Sequence, residues 1–167
     1  MNFLKTLLVA LIFALPLSAT AQAKFGHVNV YALRDVMPSV VTANKKLDTI
    51  AKQYNDQMQE LAKEYEKLVG DYKSGKWTTP EMQNLKLQEI QQLEERIMAF
   101  KEMANNGITK KTEELMAPIN KQIKEAIKAV AKEGGYTYIF DSGSEGLLFA
   151  AESDDVTALL KKKLGVK

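Results

Sequence analysis

The sequence predicts a mostly α-helical protein with a small β body, an α+β class. A long antiparallel helical hairpin, a coiled-coil tentacle, projects from that short-stranded body. Three observations predict this. Apolar residues recur every three or four positions from Leu47 to Tyr72, and again, less regularly, from Met82 to Val130. Turn and helix-start residues separate the two runs between Ser74 and Glu81. Short runs rich in β-branched and aromatic residues lie before and after the helical part, at Phe25–Tyr31 and Tyr136–Phe140.

The chain opens with Lys5 in a short n-region, an apolar run from Leu7 to Leu15, and Pro16. Ala21 and Ala23 then supply the two small side chains that signal peptidase requires. This reads as a secretory signal peptide over residues 1–23, cut near Ala23. The apolar run is too short to span a bilayer. A lipoprotein anchor would need a Cys, and the sequence has none. Export to the periplasm is the expectation.

Phe25-Gly26-His27-Val28-Asn29-Val30-Tyr31 alternates apolar with small or polar residues and predicts a strand. Ala32 to Met37 fits one helical turn, broken at Met37-Pro38. A long helix starts near Ser39. Leu47, Ile50, Tyr54, Met58, Leu61, Tyr65, Leu68 and Tyr72 form a narrow seam, with Lys, Asp, Glu and Gln on the other faces. Ser74-Gly75 is turn chemistry. Thr78 stands three residues before Glu81 as a capping box, with Pro80 in the first turn. The second helix carries Met82, Leu85, Ile90, Leu93, Ile97, Phe100, Ala104 and Ile108, then Leu115, Ile119, Ile123, Ile127 and Val130. Asn105-Asn106-Gly107 predicts a weak spot and Pro118 a kink. Gly134-Gly135 ends the helix. Tyr136–Phe140 and Leu147–Ala150 predict a β-hairpin around the turn Asp141–Gly146. Ser153-Asp154-Asp155 caps a last helix, Val156 to Leu164, with lysines in its final turns.

A first helix of roughly 35 residues would be roughly 50 Å long. One short sheet cannot cover that length, so the two long helices must pair. The division expected is a discontinuous body, residues 24–43 plus 111–167, and an arm, residues 44–110, with its tip near 71–79. The body's few strands make too small a core for a monomer without disulfides, so assembly through them is expected. Val28, Val30, Ile139 and Phe149 are the candidate assembly residues. The formal charge is +2, and acids and lysines are interspersed, so no field strong enough to hold nucleic acid is indicated.

This layout resembles the Skp (OmpH-like) family of periplasmic chaperones. The residues that carry the likeness are the leader, Phe25-Gly26-His27-Val28-Asn29-Val30, and the stretch from Ile123 to Leu164 with IKEAIKAVAKEGGYTYIFD and DDVTALLKKKL. The resemblance implies a homotrimer whose β-rich body joins three helical tentacles around a cavity. It implies binding of unfolded outer-membrane β-barrel proteins without ATP or any other cofactor, and no enzyme activity. Family members often carry strongly basic arms. Here Lys and Asp/Glu roughly balance from Asn44 to Lys110. That argues against charge-driven capture of clients, and leaves contact with a membrane surface or lipopolysaccharide open.

Four motifs compete with this reading and fall short. Gly70-Asp71-Tyr72-Lys73-Ser74-Gly75-Lys76-Trp77 nearly spells a phosphate-binding loop, but Trp77 replaces the metal-binding hydroxyl and a helix precedes it. Ser142-Gly143-Ser144-Glu145-Gly146 lacks the first glycine of a nucleophile elbow. His27 is the only histidine and has no Cys or second His to share a metal. Glu94-Glu95 and Asp154-Asp155 fit a solvated helix face and a helix cap better than acid–base chemistry. No catalytic, cofactor or metal residue is assigned.

The function expected is therefore an ATP-independent periplasmic holdase; the alternative is a structural coiled-coil spacer or scaffold of the cell envelope. Methionine side chains suit a promiscuous binding surface because they are unbranched and polarizable. Met82, Met98 and Met103 fall partly off the seam, and Trp77 sits at the tip. These four are the candidate client contacts.

Overall fold

The computed structural model describes residues 23–166. The leader assigned to residues 1–23 lies outside them except for Ala23. In chain order the elements are β1 (Phe25–Val28), α1 (Val30–Asp35), α2 (Pro38–Lys73), α3 (Pro80–Gly134), β2 (Tyr138–Asp141), a 3-10 turn (Glu152–Asp154) and α4 (Thr157–Leu164).

Asn29 caps α1 by accepting from the Ala32 amide at 2.9 Å. Pro38 occupies the first turn of α2, where its missing N–H costs nothing. At 36 residues, α2 is about 54 Å long. Its predicted seam holds. Leu61 is buried, and Leu47, Ile50, Tyr54, Met58, Tyr65, Leu68 and Tyr72 are all partly buried. They face Ile90, Leu93, Ile97, Phe100, Ala104 and Ile108 of α3, which runs antiparallel to α2. The tip cap falls one residue later than the capping box implied. Thr79, not Thr78, is the N-cap of α3, and its hydroxyl accepts from the Met82 amide at 3.3 Å. Pro80 then sits at the first helical position.

The 55 residues of α3 run unbroken through Asn105-Asn106-Gly107 and Pro118. Gly107 is there for space. A Cβ at that position would lie 2.5 Å from the Tyr54 hydroxyl oxygen on α2. Pro118 falls where α3 enters the body between Leu115 and Ile119, both packed in the core. Tertiary packing there outweighs the one lost main-chain hydrogen bond. Gly135 ends α3 in the left-handed region at φ 66°. Lys24 adds a cation to that helix end, donating from Nζ to the Gly134 carbonyl at 2.8 Å.

The core of the body joins Val28, Leu33, Met37, Val40 and Ala43 to Ile119, Ile123, Ala126 and Val130 of α3, and to Val156 and Leu160 of the C-terminal segment. Every buried side-chain polar atom among the described residues has a partner.

The strand pairing differs from the sequence expectation. β2 does not form a hairpin with Leu147–Ala150, which has no strand structure. It pairs in parallel with β1, in the register Phe25↔Tyr138 to Val28↔Asp141. The crossover between them is the whole helical hairpin. Three hydrogen bonds turn the chain away after β2. Ser142 N–H donates to the Val28 carbonyl at 2.9 Å, and the Asp141 carboxylate accepts from the amides of Val30 at 3.2 Å and Gly143 at 2.9 Å.

Candidate functional site

The arm has a dry side and a wet side. The seam between α2 and α3 buries one stripe of each helix, and the charged residues face water. Yet α3 keeps apolar side chains outside the seam. Met98 is 65 % exposed and Met103 51 %; Met82, Leu85 and Leu87 are exposed as well. An α-helix advances about 100° per residue. Measured from the buried stripe of Ile90, Leu93, Phe100 and Ala104, Leu87 and Met98 fall on one flank, and Leu85 and Met103 on the other. None of these side chains belongs to the buried stripe. They form two thin apolar lines along a charged arm.

Trp77 is placed differently from the methionines. Its ring lies against Tyr72, with centroids 6.5 Å apart, and beneath the Lys86 ammonium at 5.5 Å. It is half-buried and serves the tip's own packing with part of its surface. Lys76 and Asp71 pair across the turn at 2.8 Å. Trp77, Met82, Met98 and Met103 thus do not form one patch. They are spread from the tip to mid-arm.

Charges between the two helices are matched rather than massed. Tyr65 donates its hydroxyl to the Glu94 carboxylate at 2.6 Å. The Glu94 hydrogen bond holds the phenol above its ordinary value, with burial and the negative charge adding in the same direction. Arg96 reaches Glu64 at 4.0 Å. The groove near the tip, about 450 Å³, is open to solvent and floored by Leu68 and Leu93 between Glu64, Lys67, Asp71, Glu89 and Arg96. Its mixed charge favours no single ligand sign. Among the described residues, no group of three or more His, Asp or Glu could hold a metal ion. No described helix is long and apolar enough to cross a membrane.

The body presents a second apolar surface. Phe25, Tyr138 and Phe140 line the outer face of the two-stranded sheet, with neighbouring centroids 6.0 to 6.3 Å apart. All three are exposed. Beyond β2, Leu148 is 97 % and Phe149 83 % exposed. Of the four assembly candidates, Phe149 alone offers its side chain fully to a neighbour. Val28 is 1 % exposed and belongs to the protomer core. Val30 and Ile139 pack against that core, so they could support a contact only from behind. Sequence reasoning passed over Leu148 and the aromatic face. Period-two spacing of Tyr138 and Phe140 carried the signal for the face, but only pairing with β1 brings Phe25 beside them.

Residues 24–164 match the family described as outer membrane protein (OmpH-like). Among solved structures, the fold is similar to that of a protein from Caulobacter crescentus CB15 described as an OmpH-like outer membrane chaperone. The TM-score is 0.71 at 11% identity, over 86% of this chain and 85% of that chain. At that identity the likeness is one of fold. No curated protein matches the chain.

Proposed function

The chain belongs to the OmpH-like outer membrane protein family, and from that premise we propose that it is a non-enzymatic, ATP-independent holdase. It acts in the periplasm on unfolded outer-membrane β-barrel proteins. One observation carries the reading: a hairpin that is self-sufficient in its seam still exposes Leu85, Leu87, Met98 and Met103 on both flanks of α3. A spacer or scaffold needs a sealed seam and a polar exterior, and has no use for methionines in water.

The mechanism is physical. Unfolded barrel strands expose alternating apolar side chains and unpaired edges, and aggregate when free. Several arms around a cavity would shield them through many weak contacts. Each contact exchanges quickly while the whole complex holds tightly. Methionine suits this because it adapts its shape to many partners. Release follows when the client folds into the membrane. The Caulobacter protein of similar fold is described as an outer membrane chaperone, which agrees in kind.

Assembly completes the proposal. The body is discontinuous, residues 24–43 and 111–167, and the arm spans 44–110. A homotrimer held through the body, with Leu148, Phe149 and the Phe25–Tyr138–Phe140 face as its contact, would bring three arms together. Deleting residues 44–110 and bridging the gap with a short linker tests the division of labour. The shortened chain is expected to assemble but not to suppress client aggregation. Protection by the armless protein would sink the cavity mechanism.

A further inference from the structure

Of the eight asparagines in the sequence, Asn106 alone is followed by glycine. That pair is chemically fragile. The glycine amide nitrogen can attack the asparagine side-chain carbon, because glycine has no Cβ to hinder the approach. The fold places the pair in the middle of α3, on the arm, with Asn106 exposed and Gly107 half-buried.

Two features of the closed arm hold the reaction off. In the helical ladder the Gly107 N–H is committed to the carbonyl four residues earlier, that of Met103. Ring closure also needs Asn106 to leave the helical ψ of about −42°, so that the Gly107 nitrogen can reach the side chain. Opening the helix at this point moves Gly107 off Tyr54. The fit there is so close that a Cβ on Gly107 would lie 2.5 Å from the Tyr54 hydroxyl oxygen. Tyr54 is itself packed on Phe100, with ring centroids 6.1 Å apart. A groove of about 590 Å³, open to solvent, runs beside Tyr54 and Gly107 and brings water to the pair.

We propose that Asn106 is a self-modification site gated by the seam of the arm: it deamidates only when α3 opens at Gly107, and the isoaspartate formed keeps the seam from closing again. The Gly107 nitrogen gives up its proton and bonds to Cγ of Asn106. The Cγ–N bond of the carboxamide breaks, and ammonia leaves with that proton. The resulting succinimide ring then takes up one water. Opening at one carbonyl gives aspartate. Opening at the other gives isoaspartate, whose main chain runs through Cβ and is one atom longer. An aspartate at this exposed position only adds a charge. An isoaspartate inserts an extra main-chain atom into the hydrogen-bond ladder next to Gly107, and so displaces the glycine from its fit against Tyr54.

The test is peptide mapping by mass spectrometry on the chain from Lys24 onward, aged in warm, mildly alkaline buffer, both native and in urea. In urea, Asn106 is expected to be the asparagine that deamidates fastest. In the native chain it is expected to react at least about tenfold more slowly, as an opening-gated reaction does. Tyr54→Ala empties the contact and is expected to raise the native rate about tenfold, while leaving the rate in urea unchanged. Phe100→Leu, a milder cut, is expected to move the native rate the same way by less, and decides the matter if Tyr54→Ala fails to fold. The isoaspartate fraction, separated by chromatography, is expected to exchange its amides faster near Tyr54 and Gly107, whereas Asn106→Asp exchanges like the wild type. An Asn106 that stays intact in urea overturns the site. A native rate equal to that in urea, or unmoved by both variants, overturns the gate. An isoaspartate fraction that exchanges as slowly as Asn106→Asp overturns the block on reclosing.

Discussion

The hydroxyl of Tyr54 on α2 fills the space that a side chain at Gly107 on α3 would need; a Cβ there would stand 2.5 Å from the oxygen and 3.2 Å from the ring carbon that bears it. The Tyr54 ring packs edge-on against Phe100, with centroids 6.1 Å apart, so turning it aside would cost that contact. A glycine inside a helix ordinarily costs about 1 kcal/mol relative to alanine. Here the glycine is kept for the contact across the seam.

Gly107→Ala should therefore destabilise the chain by about 1 kcal/mol rather than stabilise it, since overpacking outweighs propensity. In a Tyr54→Phe background the nearest atom is gone and the sign should reverse. Thermal or urea unfolding of the two single variants and the double variant measures the coupling. A single Gly107→Ala variant more stable than wild type would show that the seam is looser than described.

Asp155 gives a pH test at the start of α4. Its carboxylate accepts from the Thr157 amide at 2.7 Å. Burial pushes the carboxyl up, but the hydrogen bonds from Thr157, with His27 adding, hold it below the ordinary value of 3.8. A carboxyl depressed in the folded state stabilises the fold fully above its unfolded value and loses that contribution as the pH falls through the folded value. The group is mostly exposed, so the low end of the capping range applies, about 0.5 kcal/mol. Asp155→Ala should be less stable than wild type by that amount near neutrality. The gap should shrink as the pH falls through the ordinary carboxylate range and close below it. A gap that stays constant into acid would mean the carboxylate charge plays no part.

Client capture should depend more on apolar contact than on charge. Salt already screens exposed charges strongly at physiological strength, where the Debye length is about 8 Å, and the arm carries mixed rather than massed charge. Client affinity should fall only slightly between low and moderate salt. Replacing Trp77, Met82, Met98 and Met103 together by Ser should weaken it clearly, each lost contact being worth on the order of 1 kcal/mol or less at a mobile surface. Met98 and Met103 should account for more of the loss than Trp77, whose ring is partly spent on Tyr72 and Lys86. A steep salt dependence with no effect of the fourfold substitution would assign the capture to the lysines.

The helical hairpin was readable in the sequence because its signal is periodic and local. A stripe from Leu47 to Tyr72 at helical spacing has few other uses, and Pro80 marks the restart. The strand pairing was not readable in the same way. Tyr136–Phe140 and Leu147–Ala150 are close in sequence and look like a hairpin, but the partner of β2 is β1, across the entire crossover. Parallel pairing leaves no local mark. The contact that Gly107 makes was hidden for a related reason. Its role is set by Tyr54 from the other helix, and a lone sequence shows a glycine in a helix only as a defect. Met82 continues the seam's spacing but lies near the tip, beyond the last buried position at Ile90, so it is exposed. The position of Met98 and Met103 off the seam was legible in the helical spacing; how far they stand in water is set by the fold.

The holdase reading meets its most direct test in a single dilution experiment. An unfolded outer-membrane β-barrel is diluted from urea, without ATP, into buffer containing the chain from Lys24 onward at a near-stoichiometric ratio, and light scattering is followed. The barrel is expected to stay soluble and to be recovered in a complex with the chain. Scattering that rises as fast as in buffer alone, with the chain folded and assembled, would mean that these arms do not hold clients.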